Sequence, residues 1–142
     1  MPVCGAVAGA DAALQTTIEY VKQRKAFDRS ISQFQNTRFK LAEMRTQIDV
    51  AQVFVDRCVM DHNQKLLSAE VAAEAKLFTT ELLGKVVDEG VQLHGGWGYM
   101  WEYPICKMYA NARIQRIFAG AFIERVPARA GAIRWPRRAL TM

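Results

Sequence analysis

Three short stretches carry the residues best suited to gripping a ligand. They are Arg24 and Phe27 in YVKQRKAF (20–27), Gln35 in ISQFQ (31–35), and Gln92, Gly95 and Gly96 in VQLHGGWGYMWEYPI (91–105). Arginine brings a permanent planar charge that can make two parallel hydrogen bonds. Glycine lets a backbone turn sharply or lie close against another group. Trp97, Tyr99, Trp101 and Tyr103 add large rigid surfaces. Each feature also has a plainer reading when taken alone. Arg24 suits the end of a helix as a solvated cation facing the macrodipole. Gln92 with Gly95-Gly96 suits a helix C-cap. The four aromatics suit structural packing.

Other reactive side chains suggest less. Cys4, Cys58 and Cys106 are odd in number and far apart, with no CxxC, which fits buried thiols better than a disulfide frame. His62 and His94 belong to no recognisable ligand set, so no metal is expected.

The elements that must hold these residues read as helices. Val7, Ala10, Leu14, Ile18 and Val21 mark one face of a helix over about 5–24. Phe34, Leu41, Met44, Ile48, Ala51, Val55 and Cys58 mark a second, about 33–62, with Ser32 as its N-cap. Val71, Ala75, Phe78, Leu82, Val86 and Leu93 mark a third, about 69–94, capped by Ser68. Pro104 suits the first turn of a fourth, extending to about Phe118. Wide apolar stripes on helical segments with short connections predict an all-α, antiparallel four-helix bundle. Leu41, Ile48, Val55, Phe78, Leu82 and Val86 are expected in its core. No repeat and no alternating strand pattern is visible.

At 142 residues and 51% hydrophobic, the chain is one domain with a real core. The net charge of +5 is concentrated in residues 121–142, where five arginines face Glu124 alone. The body, 1–120, is therefore nearly balanced and carries no basic face for nucleic acid. Pro127, Gly131 and Pro136 interrupt the tail, which reads as a basic, frayed extension rather than a nucleic-acid or membrane-surface arm, or else as sequence out of its ancestral frame. No apolar run is long enough to span a bilayer. No signal peptide is visible, so a cytoplasmic, bacterial-type setting is expected, with the mitochondrial matrix as the alternative.

Taken in order and at their separations, the three stretches closely resemble the C-terminal helical domain of acyl-CoA dehydrogenases. The third is worded most like the long-chain branch. The resemblance runs from about Val7 to Gly120. It implies a flavoenzyme that uses FAD to convert an acyl-CoA to the trans-2-enoyl-CoA and passes electrons to an electron-transfer flavoprotein. It also implies a homo-oligomer in which this bundle binds part of a neighbouring subunit's FAD. By the same resemblance, Arg24 would meet the FAD pyrophosphate and Phe27 would pack against the cofactor. Gln35 would hydrogen-bond near it, and Gln92, Gly95 and Gly96 would lie along its adenosine-pyrophosphate half. The aromatics after the glycines would lock that loop onto the bundle. A non-catalytic assembly module derived from the family is the competing expectation.

Two positions depart from the family pattern. Asp28 stands where the family's Arg-Lys-x-Phe-Gly has glycine; aspartate tolerates a left-handed turn better than most residues. Ala119, in IFAGA, stands where many members carry the catalytic glutamate, and alanine cannot take a proton. In the long-chain branch the glutamate comes from the preceding helix, at a place that would fall just before Met1. Asp11 and Glu19 do not match it and are expected on a solvated face. The resemblance thus implies the C-terminal third of a dehydrogenase, inactive by itself.

Overall fold

The computed structural model describes residues 2–118; the tail 121–142, and Ala119 with it, lies outside the described residues. Four helices account for most of the described chain: α1 (Pro2–Gln23), α2 (Gln35–Asn63), α3 (Ala69–His94) and α4 (Pro104–Gln115). They form the expected antiparallel bundle.

α1 owes its central place to small side chains. Ala6, Ala10 and Ala13 recur at steps of three and four, with Val3, Val7, Leu14, Thr17 and Val21, and all are buried. Alanine favours the helix and lets a neighbour approach closely. α1 packs most extensively on α3, whose Leu82, Leu83, Val86 and Val87 are buried opposite it. Thr17 spends its hydroxyl on the Ala13 carbonyl at 2.8 Å, so burial leaves no unmet donor. Gly90 lets α1, α3 and α4 meet: a Cβ there would lie 2.8 Å from Ile105 Cδ1 and 2.9 Å from Thr17 Oγ1. α2 contributes Met44, Ile48, Ala51, Val55 and Cys58 to the same core. Each fully buried Leu or Ile stabilises by about 1.5–3 kcal/mol.

Several boundaries and positions differ from expectation. α1 begins at Pro2, three residues before the expected start, because the small-residue stripe continues through Val3 and Ala6. Ser32 does not cap α2. It sits in a 3₁₀ turn, Ile31–Gln33, which intervenes before the helix starts at Gln35, and Phe34 occupies the cap position without a side-chain bond. Ser68 does cap α3, accepting from the Val71 amide at 3.3 Å. α4 ends at Gln115, and the chain turns over 116–118.

Phe78 is 40% exposed rather than buried, and Leu41 is only partly buried, each at the edge of its helix's apolar stripe. Phe78 meets Phe54 edge-on at 6.3 Å instead. Asp11 is not simply solvated; it pairs with Arg45 of α2 at 2.5 Å. A short antiparallel hairpin also went unforeseen: β1 (Lys25–Ala26) and β2 (Arg29–Ser30), with Ala26 opposite Arg29. Two residues per strand are too few to show alternation.

Candidate functional site

The hairpin sets the direction in which α1 delivers its last side chains. Its two loop residues, Phe27 and Asp28, have φ of 52° and 61°. Positive φ at both central positions is the geometry that matches the twist of a two-residue hairpin. Asp28 therefore takes the left-handed turn expected of it. Phe27 takes one too, at a cost of roughly 1–2 kcal/mol for a residue with a Cβ. Its ring is 90% exposed, touching Phe34 edge-on at 6.5 Å. Ser30 fastens the hairpin to the end of α1 by donating to the Val21 carbonyl at 2.7 Å. The Ile31 amide donates to the Arg24 carbonyl at 2.9 Å, which holds the backbone from which the Arg24 side chain leaves.

The opposite wall is the end of α3. Gly95 has φ 62° and ψ −144°, a conformation open in practice to glycine alone, and its amide donates back to the Gln92 carbonyl. The chain then runs into a 3₁₀ turn, Gly95–Tyr99. Gly98 is there for closeness: a Cβ would come within 2.6 Å of the Val91 carbonyl oxygen. Gly96 needs neither a left-handed φ, as Gly95 does, nor closeness, as Gly98 does: a Cβ there would meet nothing within 4 Å. The space it leaves faces outward.

These two walls enclose an open groove of about 590 Å³, lined by Tyr20, Arg24, Ala26, Ile31, His94, Gly95, Gly96, Trp97 and Met100. Arg24, Gly95 and Gly96 thus come together from positions some seventy residues apart in the sequence. Phe27, Gln35 and Gln92 do not line this groove: Phe27 is at the hairpin tip, Gln35 opens α2, and the exposed Gln92 lies a turn back on α3. No carboxylate among the described residues forms an ion pair with Arg24.

The sequence reading gave no site role to Tyr20, and weighed His94 only as a metal ligand. His94 is 4% exposed and stacks on Tyr20 with ring centroids 4.0 Å apart. Its Nδ1 lies 2.7 Å from the Gly90 carbonyl oxygen, so Nδ1 carries the donated proton. Burial pushes the imidazole below its ordinary pKa, against the opposing pull of that carbonyl. Burial likewise raises the Tyr20 hydroxyl, and the neighbouring Arg24 charge works the other way. The i, i+4 spacing of Tyr20 to Arg24 and of Gly90 to His94 was a visible sign of shared helix faces.

The aromatics are a correction. Tyr99 and Trp101 are 83% and 62% exposed and do not lock the loop onto the bundle, whereas Trp97, 48% exposed, packs on Tyr103 with ring centroids 5.7 Å apart. Tyr103 is tucked in, edge-on to both Tyr20 and His94. Among the described residues no group of three or more His, Cys, Asp or Glu could hold a metal, and no helix is long and apolar enough to cross a membrane.

A second groove, of about 530 Å³, lies among α2, α3 and α4. Arg116 crosses it over Gly84 and pairs with Glu81 at 3.0 Å.

The first groove sets a guanidinium and glycine backbone beside an indole. The family model for the acyl-CoA dehydrogenase C-terminal domain matches residues 1–122. The mouse mitochondrial long-chain specific acyl-CoA dehydrogenase is 47% identical over 115 residues, covering 81% of this chain and 27% of the relative's length. The crystal structure of an acyl-CoA dehydrogenase from Geobacillus kaustophilus superimposes with a TM-score of 0.85 at 34% identity, covering 94% of this chain and 35% of that one. Butyryl-CoA dehydrogenase from Megasphaera elsdenii does so with a TM-score of 0.86 at 32% identity, covering 93% and 34%. The chain spans roughly a quarter to a third of these relatives. With a matching domain model, close relatives and the same bundle, the chain belongs to the acyl-CoA dehydrogenase family, as its C-terminal helical domain.

Proposed function

We propose that this chain is the C-terminal FAD-binding and oligomerisation segment of an acyl-CoA dehydrogenase-type flavoprotein. The observation that carries the reading is the convergence of Arg24, Gly95 and Gly96 on one groove. FAD, when bound, would supply the hydride acceptor for oxidation of an acyl-CoA thioester to the trans-2-enoyl-CoA. The residues of this chain would bind and orient it. Arg24 offers two parallel donors to a diphosphate, and desolvation in the groove strengthens that bond. The missing Cβ of Gly96 leaves the backbone approachable. Trp97 presents a flat face to an adenine. Phe27, Gln35 and Gln92 lie outside the groove and would reach the cofactor only where it runs on past Arg24 or over a neighbouring subunit.

Oligomerisation is supported by apolar side chains that the chain's own core does not cover. On α2, Phe39, Val50, Val53 and Met60 are all exposed. Patches of this kind mark contact surfaces. Acyl-CoA and an electron-transfer flavoprotein are the partners the reading brings with it. Ala119 supplies no base, so in this reading the proton acceptor is a group other than residue 119. The same reading makes the chain by itself inactive, since a lost base compounds lost alignment.

Calorimetric titration of the purified chain with FAD tests the binding. Saturable binding is expected, weakened by at least about tenfold in Arg24→Ala, the usual scale for a charged hydrogen bond. Absent binding, or indifference to Arg24→Ala, contradicts the reading. Acyl-CoA-dependent reduction of an artificial acceptor tests the inactivity. Neither the unmodified chain with added FAD nor Ala119→Glu should turn over. Turnover that Arg24→Ala abolishes would show that the chain carries its own catalytic site.

A further inference from the structure

Tyr20 and His94 are the most tightly specified pair at this end of the bundle, and FAD binding as set out above gives them no task. Tyr20 lies one turn before Arg24 on α1. Its ring stacks on His94 at 4.0 Å with 20° between the planes, and its hydroxyl donates to the His94 carbonyl at 3.1 Å. That carbonyl closes α3, where helix carbonyls lack intrahelical partners. His94 cannot drift to meet a new partner, because its own ring is bound to Gly90 and buried. Tyr103 meets both rings edge-on and closes the third side. The next residue after His94 is Gly95, whose φ of 62° aims the following backbone into the groove. One hydrogen bond and one stack therefore join the wall that carries Arg24 to the wall that carries Gly95 and Gly96.

We propose that Tyr20 is a positioning residue for this groove. By bonding the His94 carbonyl it fixes the Gly95–Gly96 backbone relative to Arg24, and so gives the groove its preference for a diphosphate over an uncharged nucleoside. The proposal rests on the reading of the groove as the site for the diphosphate-adenosine half of FAD. Tyr20 acts through His94 and Gly95 rather than on the ligand, since its one donor is already spent. A diphosphate must be met from both walls at once, so its affinity depends on their spacing. An adenosine lying on one wall does not share that requirement.

The test uses the full 142-residue chain, with ADP and adenosine as probes. Tyr20→Phe keeps the stack and removes only the hydroxyl. It should weaken ADP by about tenfold and adenosine by less than about twofold, as expected for one hydrogen bond acting on geometry. Tyr20→Leu, which also removes the stack, should weaken ADP further, so that Phe restores part of what Leu loses. Circular dichroism checks that each variant is folded. In ligand-free protein the Gly95 and Gly96 amides should exchange faster in Tyr20→Phe than in the unmodified chain. Unchanged ADP affinity in Tyr20→Phe, or equal losses for ADP and adenosine, overturns the positioning role. If Arg24→Ala still weakens ADP, the FAD-site reading survives that failure. If the unmodified chain binds no ADP, both fall.

Discussion

The seam between α1 and α3 and the outer face of α2 are both apolar, and only the first is explained from within this chain. In the seam, Ala6, Ala10, Ala13 and Leu14 meet Leu83, Val86 and Val87, and every one is buried. On α2, Phe39, Val50, Val53 and Met60 recur at much the same helical spacing but face outward, with Val53 71% exposed. The seam shows what a self-contained core needs: small residues on one helix and branched ones on the other. The α2 face shows apolar residues retained without a partner of their own, as in a domain that other domains or subunits cover. The glycine-aromatic turn shares the second condition, since Trp97, Tyr99 and Trp101 are exposed, and only Trp97 of the three lines the groove.

Substitution should separate the two regions. The largest effect is expected in the core. Leu14→Ala and Ile48→Ala should each cost about 2–5 kcal/mol, read from denaturant unfolding. At the turn, Gly98→Ala should destabilise by about 1–3 kcal/mol, because its Cβ would press on the Val91 backbone and on the Cβ of the buried His94. Gly96→Ala has open space around it and should leave stability within about 0.5 kcal/mol. The contrast would separate glycine kept for closeness from glycine kept for a ligand.

A pH titration of stability comes next. His94 is held below its ordinary pKa of 6.5, so below that pH the unfolded chain binds the proton first. Stability should be constant above about pH 6.5 and fall as the pH drops from there toward the folded-state pKa, with a shallower slope in His94→Gln. A stability effect as small as that of Gly96→Ala belongs to the α2 face. Val53→Ser should change unfolding by less than about 0.5 kcal/mol while reducing self-association in sedimentation. A clean monomer for the unmodified chain at high concentration would break the comparison.

Much of this architecture was legible because helical periodicity survives in a single sequence. The four helices and the Ser68 cap follow from local rules, and the left-handed turn at Asp28 from the family resemblance, which has glycine at that position. Phe78 was misplaced because periodicity gives a stripe's direction but not its edge. The 3₁₀ turn before α2 was missed because Ser30, not Ser32, holds the bond that starts it. At the site, the resemblance named Arg24, Gly95 and Gly96, which the fold brings together. It passed over Tyr20 and His94, whose partners lie 74 residues apart. Nothing local in the sequence marks a contact of that range.

The central claim is that the Arg24–Gly96 groove holds FAD in a complete dehydrogenase. The direct measurement replaces the matching segment of the mouse long-chain relative with this chain and reads flavin absorbance per polypeptide after gel filtration. The account predicts a folded, flavin-bearing chimera that loses most of its flavin in Arg24→Ala. A folded chimera without flavin, or an Arg24→Ala chimera that keeps it all, would contradict the claim.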